Sequence, residues 1–72
     1  MCYFLVMGER LKRLRREKGV TQVEVANAIG VTTSAYGHYE SGVREPSVDI
    51  IILLCKYFDV SADYLLGLTD IY

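Results

Sequence analysis

The sequence predicts an all-α domain of five short helices, and three observations carry that reading. Apolar residues recur at helical spacing rather than in alternation: Leu11 and Leu14, then Val25, Ala26 and Ile29, then Ile51, Leu54, Cys55 and Phe58. Thr21, Thr32, Ser47 and Ser61 each stand just ahead of such a stretch, where a hydroxyl can cap a helix start. Glycines at 19, 30, 42 and 67 stand where the stretches stop.

The elements follow in order. The first helix is expected from about Gly8 to Lys18, with Leu11 and Leu14 on one face and Gly19 after its end. The second runs from about Gln22 to Ile29, and the third from about Thr33 to Glu40, with Tyr36 and Tyr39 turned partly inward. The link SGVREPS holds the only proline. Beyond it a fourth helix covers about Val48 to Phe58, with Val48, Ile51, Leu54, Cys55 and Phe58 inward. Ile50, Leu53 and Tyr57 then form an outer apolar stripe at i, i+3 and i+7. The run from Ile50 to Leu54 is β-prone in isolation, but the helical frame on both sides favours helix. A short fifth helix spans Ala62 to Leu66. Residues 1–7 are read as an apolar extension, with Tyr3, Phe4, Leu5 and Val6 β-prone enough to form a strand, and residues 8–70 as the domain proper.

Composition bounds the function. At 72 residues the chain makes one domain. Domains this short bury only about 60% of their unfolded surface, yet 51% of the residues are hydrophobic. Either the core is unusually dense or some apolar surface is meant for a partner. Met1 to Met7 is too short for a signal peptide, and no apolar run reaches the roughly 18 residues of a membrane span. Cys2 and Cys55 form no metal-ligand spacing and are expected reduced in a cytoplasmic setting. With one histidine and no phosphate-binding loop, neither catalysis nor a metal or cofactor is expected.

The net charge of −1 hides an asymmetry. Residues 9–18 carry six basic residues against two acidic ones, and residues 40–72 carry six acidic against two basic. A basic first helix is compatible with a polyanionic partner, because local field matters more than net charge. Each of those cations taken singly is equally well read as part of a solvated helix face.

The stretch TQVEVANAIGVTTSAYGHYESG is the most informative. Two helical patterns meet at a tight turn at Gly30, and Ala26, four residues earlier, is small enough to let the helices cross closely. Two helices joined at a steep angle by a three- to four-residue turn with glycine form a helix-turn-helix unit. In that unit the second helix enters the DNA major groove.

From Gly8 to Asp70 the chain resembles the lambda-repressor-like helix-turn-helix family, also called the Xre family. The pieces that match are LKRLRREKGVTQ, AIGVTTSAYGHYESG, REPS and YFDVSADYLLGLTD. The resemblance implies a five-helix bundle that binds operators, as a homodimer, in transcription regulation. It implies that Thr33, Ser34 and His38 face base edges. Gly37, where the family often has a polar residue, either permits close approach to the DNA or loosens the helix. It implies phosphate contacts from Gln22, Thr32, Ser41 and Arg44, with Gln22 also bracing the third helix, and an ion pair between Arg15 and Glu40 that fixes the third helix against the first. Val43 stands where a lysine is common, so the third helix and its flank lack the usual cation. Ile50 and Leu53 stand where polar residues are common. With Tyr57 and the extension Tyr3, Phe4, Leu5 and Val6 they point to a dimer interface. A protein-interaction module, or an antitoxin-like subunit with weak DNA binding of its own, is the alternative. No small-molecule effector domain is expected.

Overall fold

A computed structural model describes residues 3–72, with side chains from Leu5 onward. Five helices follow one another: α1 (Tyr3–Lys18), α2 (Gln22–Ile29), α3 (Thr33–Ser41), α4 (Val48–Phe58) and α5 (Ala62–Leu65). No strand occurs among the described residues. The starts of α2 to α5 are local chemistry. The hydroxyls of Thr21, Thr32, Ser47 and Ser61 accept from the backbone N–H groups of Glu24, Ala35, Ile50 and Tyr64. Such a cap contributes about 1 kcal/mol. At α2 the cap is reciprocal, since the Glu24 carboxylate accepts in turn from the Thr21 backbone.

One stripe from each helix meets in a single core. Met7, Leu11 and Leu14 come from α1, Val25, Ala26 and Ile29 from α2, and Tyr36 and Tyr39 from α3. Ile51 and Leu54 come from α4, and Tyr64 and Leu65 from α5. The most extensive packing is of α1 against α3.

The start of α1 differs from the expectation. The helix begins at Tyr3 rather than Gly8, so the described part of the extension, residues 3–7, is helix and not strand. Met7 explains this. It lies four residues before Leu11 and seven before Leu14, and it is fully buried with them. Burying that side chain prolongs the helical stripe, and packing overrides a weak local preference for extended backbone.

The α4 face is also rotated from the predicted one. Ile50 and Tyr57, expected outside, pack half-buried against the core, while Val48, expected inside, is 71% exposed. At about 100° per residue, Tyr57, Ile50, Leu54, Phe58, Ile51 and Cys55 form one arc, and Val48 falls beyond its edge. Leu53 and Ile52 are left exposed on the other side. Tyr57 is held there by an edge contact with Phe58, ring centroids 4.9 Å apart, and by Lys18, whose Nζ lies 5.1 Å above its ring. Cys55 is half-buried, and burial pushes its thiol pKa up. Cys2 lies outside the described residues.

Arg10, read from the sequence as part of a basic helix face, works inside the fold. Its guanidinium donates to the carbonyls of Tyr64 at 2.6 Å and Thr69 at 2.5 Å and to Asp70 Oδ1 at 2.8 Å. It also lies 4.4 Å above the Tyr64 ring. One side chain thus satisfies carbonyls at the end of α5 and ties the C-terminal segment to α1. Among the described residues no helix is long and apolar enough to cross a membrane, and no group of three His, Cys, Asp or Glu could hold a metal.

Candidate nucleic-acid interface

The site is built from α2, a turn and α3. Gly30 ends α2 in the left-handed region, at φ 77°, and its N–H returns to the Ala26 carbonyl. A side chain at that φ would be strained, so glycine permits the sharp change of direction. Ala26 itself is fully buried where the helices approach.

Helical periodicity then sorts α3 into two faces. Tyr36, Tyr39 and Glu40 are buried. Thr33, Ser34, His38 and Ser41 are exposed, with Gly37 half-exposed among them. Positions 33, 34, 37, 38 and 41 follow the i, i+1, i+4, i+5, i+8 spacing of one outward face. The residues predicted to face bases are therefore brought together. Thr32 is exposed and caps the helix, its hydroxyl accepting from Ala35 N at 3.1 Å. The Ser41 hydroxyl donates to the His38 carbonyl at 3.1 Å. Arg44 is exposed, while its backbone N–H, like that of Val43, returns to the His38 carbonyl.

Behind this face lies a charged network. Arg15 Nε donates to Glu40 Oε2 at 2.6 Å, and a second guanidinium nitrogen reaches Oε1 at 3.3 Å. Gln22 Nε2 donates to the same Oε1 at 3.2 Å. The Glu40 side chain is 1% exposed and that of Arg15 18%. Burial by itself raises the Glu40 pKa, but Arg15 first, then the Tyr36 hydroxyl and the Gln22 amide, outweigh it and hold the carboxyl below its ordinary value. The same carboxylate keeps Arg15 charged. Burial first, then the nearby carboxylate, pushes the Tyr36 phenol well above its ordinary pKa. The ion pair expected from the sequence is thus present. The Gln22 amide, expected to brace the third helix as well as to meet a phosphate, joins the pair as its third member and clamps α2 to α3.

Gln22 lies at the edge of the outward face, because a Cβ built on Gly37 would stand 3.6 Å from its Oε1. That is ordinary contact, so Gly37→Ala is expected to fit without rearrangement. It should raise stability by about 1 kcal/mol through helix propensity. Urea unfolding checks this, and a loss of stability would mean that the Gln22 side chain cannot give way.

A capped two-helix unit with a glycine turn, whose second helix presents a polar outward face over a buried aromatic one, has the geometry of a helix-turn-helix. The comparisons agree. The Helix-turn-helix family pattern matches residues 11–65. The HTH-type transcriptional regulator YobD of Bacillus subtilis, itself uncharacterised, is 42% identical over 62 residues, covering 86% of this chain and 55% of YobD. The chain spans about half the length of the curated relatives it matches first. The restriction-modification controller protein C.AhdI from Aeromonas hydrophila superimposes with a TM-score of 0.79 at 32% identity, covering 86% of this chain and 94% of that one. The P22 c2 repressor, solved in complex with a synthetic operator, gives 0.80 at 30% identity, over 83% and 91% of the two chains. The chain belongs to the helix-turn-helix family of DNA-binding transcriptional regulators, of the lambda-repressor-like or Xre type.

Proposed function

We propose that the protein binds an inverted-repeat operator as a homodimer, with α3 in the major groove of each half-site. The observation that carries this is the outward face of α3. Thr33, Ser34, Gly37 and His38 lie together on it, while the opposite face is locked into the core by Tyr36, Tyr39 and the Arg15–Glu40–Gln22 network. A recognition surface held rigidly before binding loses little entropy on docking. Thr33, Ser34 and His38 supply donors, acceptors and a methyl group for base edges, and Gly37 leaves room between them. Gln22, Thr32, Ser41 and Arg44 surround that face and take the flanking phosphates. The operator of the P22 c2 repressor is the precedent among similar structures.

Selection from random duplex DNA should return a two-fold motif with half-site centres about one helical turn, roughly 10 bp, apart. Ser34→Ala or His38→Ala should relax preference at one position, by about 1–3 kcal/mol. Arg44→Ala should weaken all sites alike and lower the salt slope by about 1. If no motif is enriched at low salt, the operator reading fails and an interaction module on the same fold replaces it.

Apolar surface supports the dimer. Leu53 and Ile52 on α4, and Leu68 and Ile71 after α5, are exposed. Covering such area is favourable by about 25 cal/mol per Å², and a two-fold interface uses one patch twice. The half-buried Ile50 and Tyr57 border the α4 part of it. The side chains of Tyr3 and Phe4, which the sequence places in the interface with Leu5 and Val6, lie outside those described. Leu53→Lys should shift the native chain from dimer to monomer in sedimentation at micromolar concentration. An unchanged species would remove α4 from the interface.

A further inference from the structure

The N-terminal turn of α1 bears on the loop that follows the recognition helix. Leu5 Cδ2 occupies the space where a Cβ on Gly42 would stand, and its Cα lies 3.4 Å from that point. Next along the turn, Val6 Cγ1 lies 3.0 Å from the corresponding point on Gly67. Gly8 rests on the carbonyls of Tyr39 and Glu40. One turn of helix thus touches the last residues of α3, the residue that ends it, and the turn after α5.

Gly42 ends α3, and the chain reaches Arg44 two residues later. The amides of Gly42, Val43 and Arg44 return to α3 only through the Tyr39 carbonyl, at 3.3 Å, and the His38 carbonyl, at 3.1 Å from Val43 and 3.3 Å from Arg44. Val43 is 73% exposed and adds little packing. Three amides share two carbonyls there, so beyond those bonds the segment depends on packing such as that of Leu5 to hold it. Gly42 is nonetheless buried, with Leu5 on it, although Leu5 is itself 47% exposed. Leu5 therefore contributes less to the core than it does to covering this one turn.

We infer that Leu5 is a positioning residue for DNA binding, and that the first turn of α1 is a strap holding Gly42 to Arg44 in the conformation that meets phosphate. This rests on the reading of Ser41 and Arg44 as phosphate contacts. The strap orders the loop before DNA arrives, so less freedom is lost on binding. Leu5 itself touches no DNA in this arrangement. Its effect passes through Arg44.

The test is a double-mutant cycle on the full chain with Leu5→Ala, Arg44→Ala and both, read as affinity for the selected duplex across a salt series. Amide hydrogen exchange of Val43 and Arg44 is measured alongside without DNA. Leu5→Ala should weaken binding about three- to tenfold and speed exchange at Val43 and Arg44, leaving exchange in the α2 interior unchanged. Leu5→Met should restore both. Against Arg44→Ala, the second substitution should cost nothing further. Losses that multiply independently overturn the inference, because Leu5 would then act elsewhere. Unchanged exchange in Leu5→Ala overturns it whatever the DNA does. If Arg44→Ala leaves affinity and salt slope untouched, the phosphate reading of the loop has failed instead, and the exchange rates alone decide whether the strap exists.

Discussion

Arg15→Ala is expected to lower stability by about 3–5 kcal/mol, the cost of leaving one member of a buried ion pair without its partner. Glu40 would keep only uncharged neighbours, the Tyr36 hydroxyl and the Gln22 amide, beside a carboxylate that is 1% exposed. An exposed pair such as Arg13–Glu17, at 3.7 Å, would lose under about 1 kcal/mol. Urea unfolding of Arg15→Ala separates the two cases, and a loss in the lower range would mean that water reaches Glu40. The same network sets an acid limit. The folded-state pKa of Glu40 lies below its ordinary 4.5, so the stabilisation is fully present above that value. It is lost as pH falls from there through the depressed folded pKa, where protonation breaks the pair. Glu40→Gln should flatten that acid slope, and an unchanged slope would assign acid sensitivity to other carboxylates.

Gly8→Ala is the second large effect, and here propensity and packing predict opposite signs. On helix propensity alone the change would stabilise by about 1 kcal/mol. The structure reverses this. A Cβ on Gly8 would stand 2.5 Å from the Glu40 carbonyl oxygen and 2.8 Å from that of Tyr39. Both obstacles are backbone, so no rotamer change relieves them, and α1 must move off the end of α3. Overpacking of this kind costs about 1–3 kcal/mol and occasionally more. Thermal unfolding should therefore show Gly8→Ala destabilised and Gly37→Ala stabilised, although both replace a glycine inside a helix. Equal signs for the two would mean that α1 and α3 can separate cheaply. Gly8→Ala should also weaken DNA binding, because the displaced contact lies at the end of the recognition helix.

The two glycines show which features a sequence carries by itself. Gly30 and the caps Thr21, Thr32, Ser47 and Ser61 were legible because their chemistry is local: a hydroxyl three residues from an N–H, or a left-handed φ after a helix. The outward face of α3 was legible for the same reason, since helical geometry alone separates positions 33, 34, 37 and 38 from 36 and 39. The Arg15–Glu40 pair spans 25 residues and came only through family resemblance. Nothing local marks Gly8 or Gly42 as places where another segment lies against the backbone.

What the sequence determined on its own was therefore the number of helices, four of their starts, and which residues share the outward face of α3. Tertiary structure decided where a residue's neighbours come from distant parts of the chain. Met7 joined the core and drew the apolar extension into α1. The α4 arc turned to bury Ile50 and Tyr57 and leave Val48 in solvent. Arg10 left the basic face to hold the carbonyls of Tyr64 and Thr69. The physical reason is common to all three. Local preferences differ by only about 1 kcal/mol or less per residue, whereas burying one large apolar side chain contributes about 1.5–3 kcal/mol. A hydrogen bond from a charged donor such as Arg10 contributes a comparable amount, about 1.5–3 kcal/mol.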